Sequence, residues 1–415
     1  MPAPSSTLSR LSAFFKTVYI DKADSMRNAQ LRDRPLLRMM NQIDDLDGAS
    51  LYSPLNVVLP GGFSASFTNA RANRTGSKGY GWTLSRNTAY QFVSISGEAI
   101  HASRRDPAAF IRAKAKETKE AVEYIMNRLG EIAWNDGSAD IGQVGSSTGT
   151  TTRVVTLKDT SRAINFAEGQ VCIANTVRGL AAGTTRTGVG TVTAVNMYTG
   201  VVTFTLTVSD WADNDYIFIQ GDRDTAAGLA QVGKGIQAYI PASDPGVGTV
   251  PIALNGITDR SVNPTALAGW RSSWEGSIEE SAKKLATTML RHTNQGATVY
   301  WLSYDNWHRL EMEMGARAVR DVGMPAKFGF PTIGLSTAKG IVPVAADPFC
   351  PNDAGFLLDM STWDLHTLEG LPHVITDDGQ SMLRETDADG VEVRFRAWYE
   401  FCCNRPMANG RHPIT

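Results

Sequence analysis

Residues 106–137 read DPAAFIRAKAKETKEAVEYIMNRLGEIAWNDG, and the architecture turns on them. Asp106 is a helix-capping residue type, Pro107 suits a first helical position because the N–H it lacks would have no intrahelical partner, and Asn135-Asp136-Gly137 closes the run. The implied helix has about 28 residues and a length of roughly 42 Å at 1.5 Å per residue. Ile111, Ala115, Thr118, Val122, Ile125, Leu129 and Ile132 recur at alternating spacings of four and three, on one narrow stripe. A stripe of only about three heptads that contains Ala and Thr predicts a helix packed across a sheet rather than a coiled coil.

Upstream, residues 48–97 hold no Asp or Glu, whereas Arg71, Arg74, Lys78 and Arg86 supply four cations. Phe63–Phe67 and Tyr90–Ser96 read as extended flanks, and 69–81, rich in Gly, Asn, Ser and Arg, as a polar basic tip. The segment has too few apolar residues for a core of its own, so it is expected to lie on a neighbour and meet acidic groups there. With Tyr80 and Trp82 it could also grip nucleic acid, but its charge is sparse for a nucleic-acid surface. Residues 1–50 read as an arm with short helical pieces that packs on something else, its apolar patches being Phe14–Ile20 and Leu36–Met40.

Downstream, composition changes after Gly137. Ser146–Thr152 reads as a low-complexity linker. Val154–Leu157, Gln170–Ala174, Gly190–Val195, Val201–Val208 and Tyr216–Gln220 read as strands of a small barrel or sandwich. Beyond it the pattern is mixed. Ser277-Ile-Glu-Glu280 is a capping box, Thr298–Leu302 a strand, and Ser303 the start of another helix. Val391, Val393, Phe395, Ala397, Tyr399 and Phe401 alternate along a long strand, with Glu392, Arg394, Arg396 and Glu400 on its opposite face.

The 40 Lys and Arg against 42 Asp and Glu leave a net charge of -2 over 415 residues, so no whole-chain attraction to a polyanion exists. Four cysteines without a CxxC pair argue against a disulfide framework or a zinc site, and for a reducing compartment. No signal peptide is evident, and the longest uncharged run, Thr187–Ser209, alternates as strand rather than spanning a membrane. Gly228–Lys234 has the spacing of a phosphate-binding loop, but Gly235 stands where magnesium needs a hydroxyl. Gly145–Gly149 has nucleophile-elbow spacing without a following helix. The histidines, among them His101, show no ligand spacing, and Asp210, Asp213 and Asp215 read as turn residues. The expectation is no enzyme, no metal and no cofactor.

In this order of elements the chain resembles the major capsid proteins of tailed bacteriophages, the Hong Kong 97-type shell fold. Gly235-Ile-Gln-Ala-Tyr-Ile-Pro241, Leu254-Asn-Gly-Ile-Thr-Asp-Arg260, Ala266-Leu-Ala-Gly269 and Cys402-Cys-Asn-Arg-Pro406 are similar to phrases of that family. The resemblance implies an α+β capsid fold, with an N-terminal arm (1–50), E-loop hairpin (51–100), P-domain with its spine helix (101–150), all-β insertion domain (151–222), A-domain (223–345) and P-domain return strands (346–415). It implies a structural protein that self-assembles into hexamers and pentamers, forming an icosahedral head around double-stranded DNA without sequence-specific binding. A separate scaffolding protein, a portal and decoration proteins would be partners. Assembly would take place in the bacterial host cytoplasm, with no membrane involved. Arg71, Arg74, Lys78, Tyr80, Trp82 and Arg86 would make inter-subunit contacts, and Ile111, Ala115, Val122, Ile125, Leu129 and Ile132 would pack the spine helix. The alternatives are a cellular encapsulin-like compartment and, from another class, a nucleotide-binding enzyme using Gly228–Lys234.

Overall fold

The computed structural model describes residues 34–58, 60–96, 107–223, 230–294, 296–315, 319–320, 333–376, 379, 383–384 and 389–415. The arm over 1–33, the cap at Asp106, His101 and Gly228 lie outside the described residues, as do the side chains of Ile111 and Ala115.

Helix α1 (Pro35–Met39) and strand β1 (Asn41–Asp44) come first, and β1 pairs parallel with β17 (Trp363–Val374). Leu36, Leu37, Met40 and Leu46 are buried in the chain's own fold. That corrects the reading of Leu36–Met40 as arm that packs elsewhere, because so dense an apolar patch is core material. Strands β2 (Ser50–Val58) and β3 (Lys78–Ser85) form an antiparallel hairpin, with the short helix α2 (Phe67–Ala72) between them. The extended flank expected at Phe63–Phe67 is instead a bend entering α2. β2 already pairs with β3, and Ser64-Ala65-Ser66 offers no bulky side chain to bury. After the single residue Arg86, β4 (Asn87–Ser96) leaves the hairpin and pairs along its whole length with β19 (Gly390–Cys403).

Helix α3 (Pro107–Trp134) runs where the periodicity places it. Thr118, Val122, Ile125, Leu129 and Ile132 are buried, Glu117, Lys119, Glu120 and Glu123 exposed. It packs on β4 and β17, as a helix across a sheet. Its final turns are buried all round, and Trp134 meets Trp301 at 5.9 Å and Phe356 at 5.3 Å between ring centroids.

Next is a closed barrel of β5 (Asp140–Thr148), β6 (Thr152–Leu157), β7 (Val171–Asn175), β8 (Thr185–Asn196), β9 (Val201–Leu206) and β10 (Tyr216–Ile219), ordered β10-β5-β6-β9-β8-β7 with β10 also closing on β7. Alternate residues fill it, including Val202, Phe204 and Leu206 of β9 around Trp211 and Phe166. The boundary at 151 is thereby corrected. Ser146–Thr152 is no linker, since it forms the end of β5 and a tight hairpin into β6. At that turn Gly149 has φ +89°, and a Cβ there would lie 2.1 Å from the Thr152 carbonyl oxygen.

The remaining chain forms α4 (Ile236–Tyr239), α5 (Pro264–Ala268), β11 (Trp270–Arg271), α6 (Ile278–Thr293), β12 (Val299–Leu302), α7 (Tyr304–Met314), β13 (Val319–Arg320), β14 (Ile333–Thr337), β15 (Gly340–Ala346), β16 (Ala354–Leu358), β18 (Leu383–Arg384) and β20 (Gly410–Pro413). Ser277 Oγ accepts the Glu280 N–H at 3.1 Å and Ser303 Oγ the Asn306 N–H at 3.3 Å, so both helix starts are capped. A seven-stranded sheet runs β11-β20-β16-β12-β15-β14-β13. Tyr300, Leu302 and Leu357 face α6 and α7, whereas Val299, Trp301, Phe356 and Leu358 face the main core. Covered on both sides, its central strands read as continuous apolar runs. The boundary between 345 and 346 is also corrected, because β16 and β20 lie in the same sheet as β12.

Asp140 and Phe218 are paired neighbours at the mouth of the barrel. Excising 140–218 and bridging with two glycines should leave a soluble protein with one cooperative melt. Excising 151–222 strands β5 without its partners and should give insoluble protein. Soluble yield and circular dichroism melts distinguish the two.

Candidate functional site: a projecting hairpin on a buried base

The hairpin is built in two halves. At its base Trp82 is 0% exposed, donates from Nε1 to the Cys403 carbonyl at 2.9 Å and meets Tyr239 edge-on at 5.3 Å. Tyr239 donates to the Phe401 carbonyl at 2.7 Å and accepts from Asn255 Nδ2 at 2.9 Å, while the Thr83 N–H donates to the Asn255 carbonyl at 2.7 Å. Leu55 and Leu84 are buried beside them. Toward the tip this cover ends. Phe63 is 102% exposed and Phe67 81%, α2 buries no residue, and Arg71, Arg74 and Lys78 stand in solvent.

This geometry divides the residues expected to touch a neighbour. Trp82 is corrected, being core held by its own chain. Tyr80 is half-buried against the same core, and Arg86 lies over the Trp398 ring at 6.0 Å. Arg71, Arg74 and Lys78 share the exposed tip. Phe63 and Phe67, the apolar residues there, were missed as surface groups; the signal was Gly61-Gly62 followed by small residues, which punctuates a strand rather than continuing it.

Two carboxyl groups are buried deeper in the fold. Glu400, on the face of β19 opposite the apolar alternation, accepts from the Lys234 N–H at 3.2 Å and from Asn87 Nδ2. Burial pushes its pKa up to about 7, the Lys234 charge and these donors opposing. Asp347 accepts the Phe349 N–H at 2.9 Å and the Leu36 N–H at 3.4 Å, and burial pushes it up to about 6.

A third buried carboxyl sits where the barrel meets α3. Asp140 lies 2.6 Å from Arg162 and 2.8 Å from Arg178, which also reaches Asp136 at 2.7 Å. Burial would raise its pKa, but the two guanidiniums hold it well below the carboxylate range. Nearby, Arg128 of α3 pairs with Glu131 and, at 2.7 Å, with Asp222.

The catalytic alternatives find little purchase here. In the described part of the phosphate-loop spacing the Lys234 amide is held by Glu400, and only the four-residue α4 follows. Ser147 of the elbow spacing lies in β5, bonded to Asp213 and Arg153. Asp215 pairs with Arg186 at 2.7 Å, and Asp210 accepts amides of Thr187 and Gly188. Among the described residues no three His, Cys, Asp or Glu side chains are grouped to hold a metal. His412 is buried against the Tyr300 hydroxyl at 2.7 Å, and burial lowers its pKa to about 4. No helix among the described residues is long and apolar enough to cross a membrane.

Trp82→Ala should cost about 3–5 kcal/mol in denaturant unfolding, as expected for a truncated core aromatic. Glu400 carries a pH prediction. Its folded pKa of about 7 exceeds the ordinary 4.5, so its neutral form supports folding fully at acid pH and that support is lost as pH rises through about 7. Glu400→Gln, with the Asn87 amide turned over, should raise stability at pH 8 by on the order of 3 kcal/mol and flatten the pH dependence of the melting temperature between pH 4.5 and 7.

No family model matches the chain, and no curated protein matches it. Solved structures do. The capsid chain of cyanophage A-1(L) is similar at 11% identity and a TM-score of 0.50, over 92% of this chain and 92% of its own. A chain of Mycobacterium phage Adephagia follows at 10% identity and 0.43, covering 92% and 90%. The holo-SrpI encapsulin of Synechococcus elongatus PCC 7942 follows at 9% and 0.44, covering 92% and 86%. Because 92% of either chain takes part in the cyanophage match, the fold of this chain is the tailed-phage major capsid protein fold.

Proposed function

We propose that the chain is a major capsid protein, a subunit that self-assembles into hexamers and pentamers closing as an icosahedral shell around double-stranded DNA. The observation that carries this reading is the hairpin tip, with Phe63 and Phe67 exposed above a base locked into the core. Two phenylalanines held in water by a rigid stem are explained by a partner surface. A shell supplies one to every subunit. In this reading β2, α2 and β3 are the E-loop, α3 is the spine helix, and the barrel over residues 140–219 is an inserted domain on the shell exterior.

Near-zero net charge suits a container wall, since tight phosphate binding would resist packaging and ejection of DNA. Scaffolding, portal and decoration proteins are the partners that such a shell calls for, and the virion is its location, after assembly in a bacterial cytoplasm. Catalysis has no part in this reading. Individual contacts are weak, an exposed ion pair contributing about 0.2–1 kcal/mol, and closure by symmetry makes the sum large.

Electron microscopy of the purified full-length protein tests the proposal. Closed polyhedral shells are expected, and a protein that stays monomeric with and without scaffolding protein overturns it. Nuclease-protected DNA inside particles from the natural source separates a viral head from a cellular compartment. Replacing Arg71, Arg74 and Lys78 together with Glu should block assembly in light scattering while leaving the subunit's circular dichroism and melting temperature unchanged. Normal assembly of that triple variant at low salt would refute the electrostatic part.

A further inference from the structure

Strands β6, β9 and β8 lie side by side on the barrel, and their outward side chains carry no charge. Thr152, Thr205 and Thr191 stand in one row across the three strands, each directly opposite the next and each exposed. Val154, Thr203 and Ala194 form the next row, with Val154 38% exposed. The two charged residues within these strands are engaged elsewhere. Arg153 sits opposite the buried Phe204 and donates to the Trp211 carbonyl at 2.5 Å, and Arg186 pairs with the buried Asp215 at 2.7 Å.

A sheet face left in water normally carries lysine or glutamate, which keeps it apart from other faces. This one carries hydroxyls instead, and a hydroxyl both donates and accepts, so the face is complementary to itself. It has no charge with which to select a charged partner, and two copies brought face to face meet no like charges. We propose that this face is a two-fold contact between the barrels of two copies of the chain, with Thr205, on the middle strand, near its axis. The size of the face sets the conditions. Three strands about 4.8 Å apart, over roughly five residues at about 3.3 Å each, give on the order of 240 Å² per copy, against the ~800 Å² per partner of a stable interface. The contact is therefore too small to hold a free dimer, and it closes between copies that a larger assembly already keeps near each other. The inference rests on the shell reading for that assembly, in which a two-fold axis sets one surface patch opposite its own copy. It gives the barrel a part in joining subunits.

The test oxidises full-length Thr205→Cys mildly, both as concentrated subunits, where a disulfide traps brief encounters, and in assembled particles. The four native cysteines are buried, and Thr205 is exposed. A disulfide-linked pair at twice the 44.9 kDa mass is expected from this one variant, several-fold above Glu168→Cys, which puts the thiol elsewhere on the barrel surface. Yields no greater than that control in both preparations overturn the proposal, and they are the result that a different protein or a glycan on this face would give. A second arm uses charge. Thr205→Glu and Thr205→Lys each set like charges against their own copy, so each alone should slow assembly several-fold in light scattering, with the melting temperature unchanged. An equal mixture of the two should restore it. Parental rates in both single variants, or no recovery in the mixture, count against a contact between identical faces. Closed shells without the crosslink would leave the shell reading standing and remove this contact; the crosslink in concentrated subunits without closed shells would do the reverse.

Discussion

Strand β19 has to be satisfied on two edges and two faces, and parts of the chain far apart in sequence meet to do it. β17 and β18 share one edge and β4 takes the other, from Gly390 to Tyr399. Val393, Phe395, Ala397, Tyr399 and Phe401 turn into the core that α3 also lines. The opposite face is covered as well. Arg396 lies 4.0 Å over Trp398 and pairs with Glu369 at 2.9 Å, and Glu400 is enclosed by Asn87 and Lys234. Even the carbonyls at its end are used, Phe401 by Tyr239 and Cys403 by Trp82. A strand so completely engaged leaves the hairpin, the loop after the barrel and the C-terminal sheet little freedom of placement.

The barrel is attached by apolar and ionic contacts together. Its interior is a core of its own, but at the junction Ile173 and Phe218 join the main core, while Arg178 reaches Asp136 at 2.7 Å and Arg162 lies 4.0 Å from Glu131. Buried ion pairs add little net stability over apolar packing, but losing one partner costs about 3–5 kcal/mol, because the other is left charged and dry. Two guanidiniums converging on one carboxylate also define direction, which two greasy surfaces would not. The ionic part of the junction therefore adds direction to what the apolar contacts of Ile173 and Phe218 hold.

Much of this was legible in the residues. The Pro107 start and the Asn-Asp-Gly stop bracket α3 because both act locally, and the caps at Ser277 and Ser303 are legible for the same reason. The alternation in β19 showed which face is core, but not that Arg396 and Glu400 opposite are buried too, since that depends on what the rest of the chain lays over them. The first barrel strand escaped notice because Gly145-Ser-Ser-Thr-Gly149 has linker composition, and only pairing with β6 makes it strand. Trp82 was misplaced for a similar reason. Its neighbours are Gly, Tyr, Thr and Ser, and the core that receives it comes from residues 239 and 403. The exposed basic tip was legible from charge alone.

One residue, Arg86, separates the hairpin strand β3 from the sheet strand β4. With Trp82 and Leu84 seated just before that joint, the hairpin has no slack at its root. It is a lever of roughly 26 Å, taking eight residues at about 3.3 Å each. A push at the tip becomes a torque on β4, and through the ten-residue ladder it reaches β19, the helix above it and the sheet beyond. Wired this way, the chain carries a load on its outstretched end to its centre.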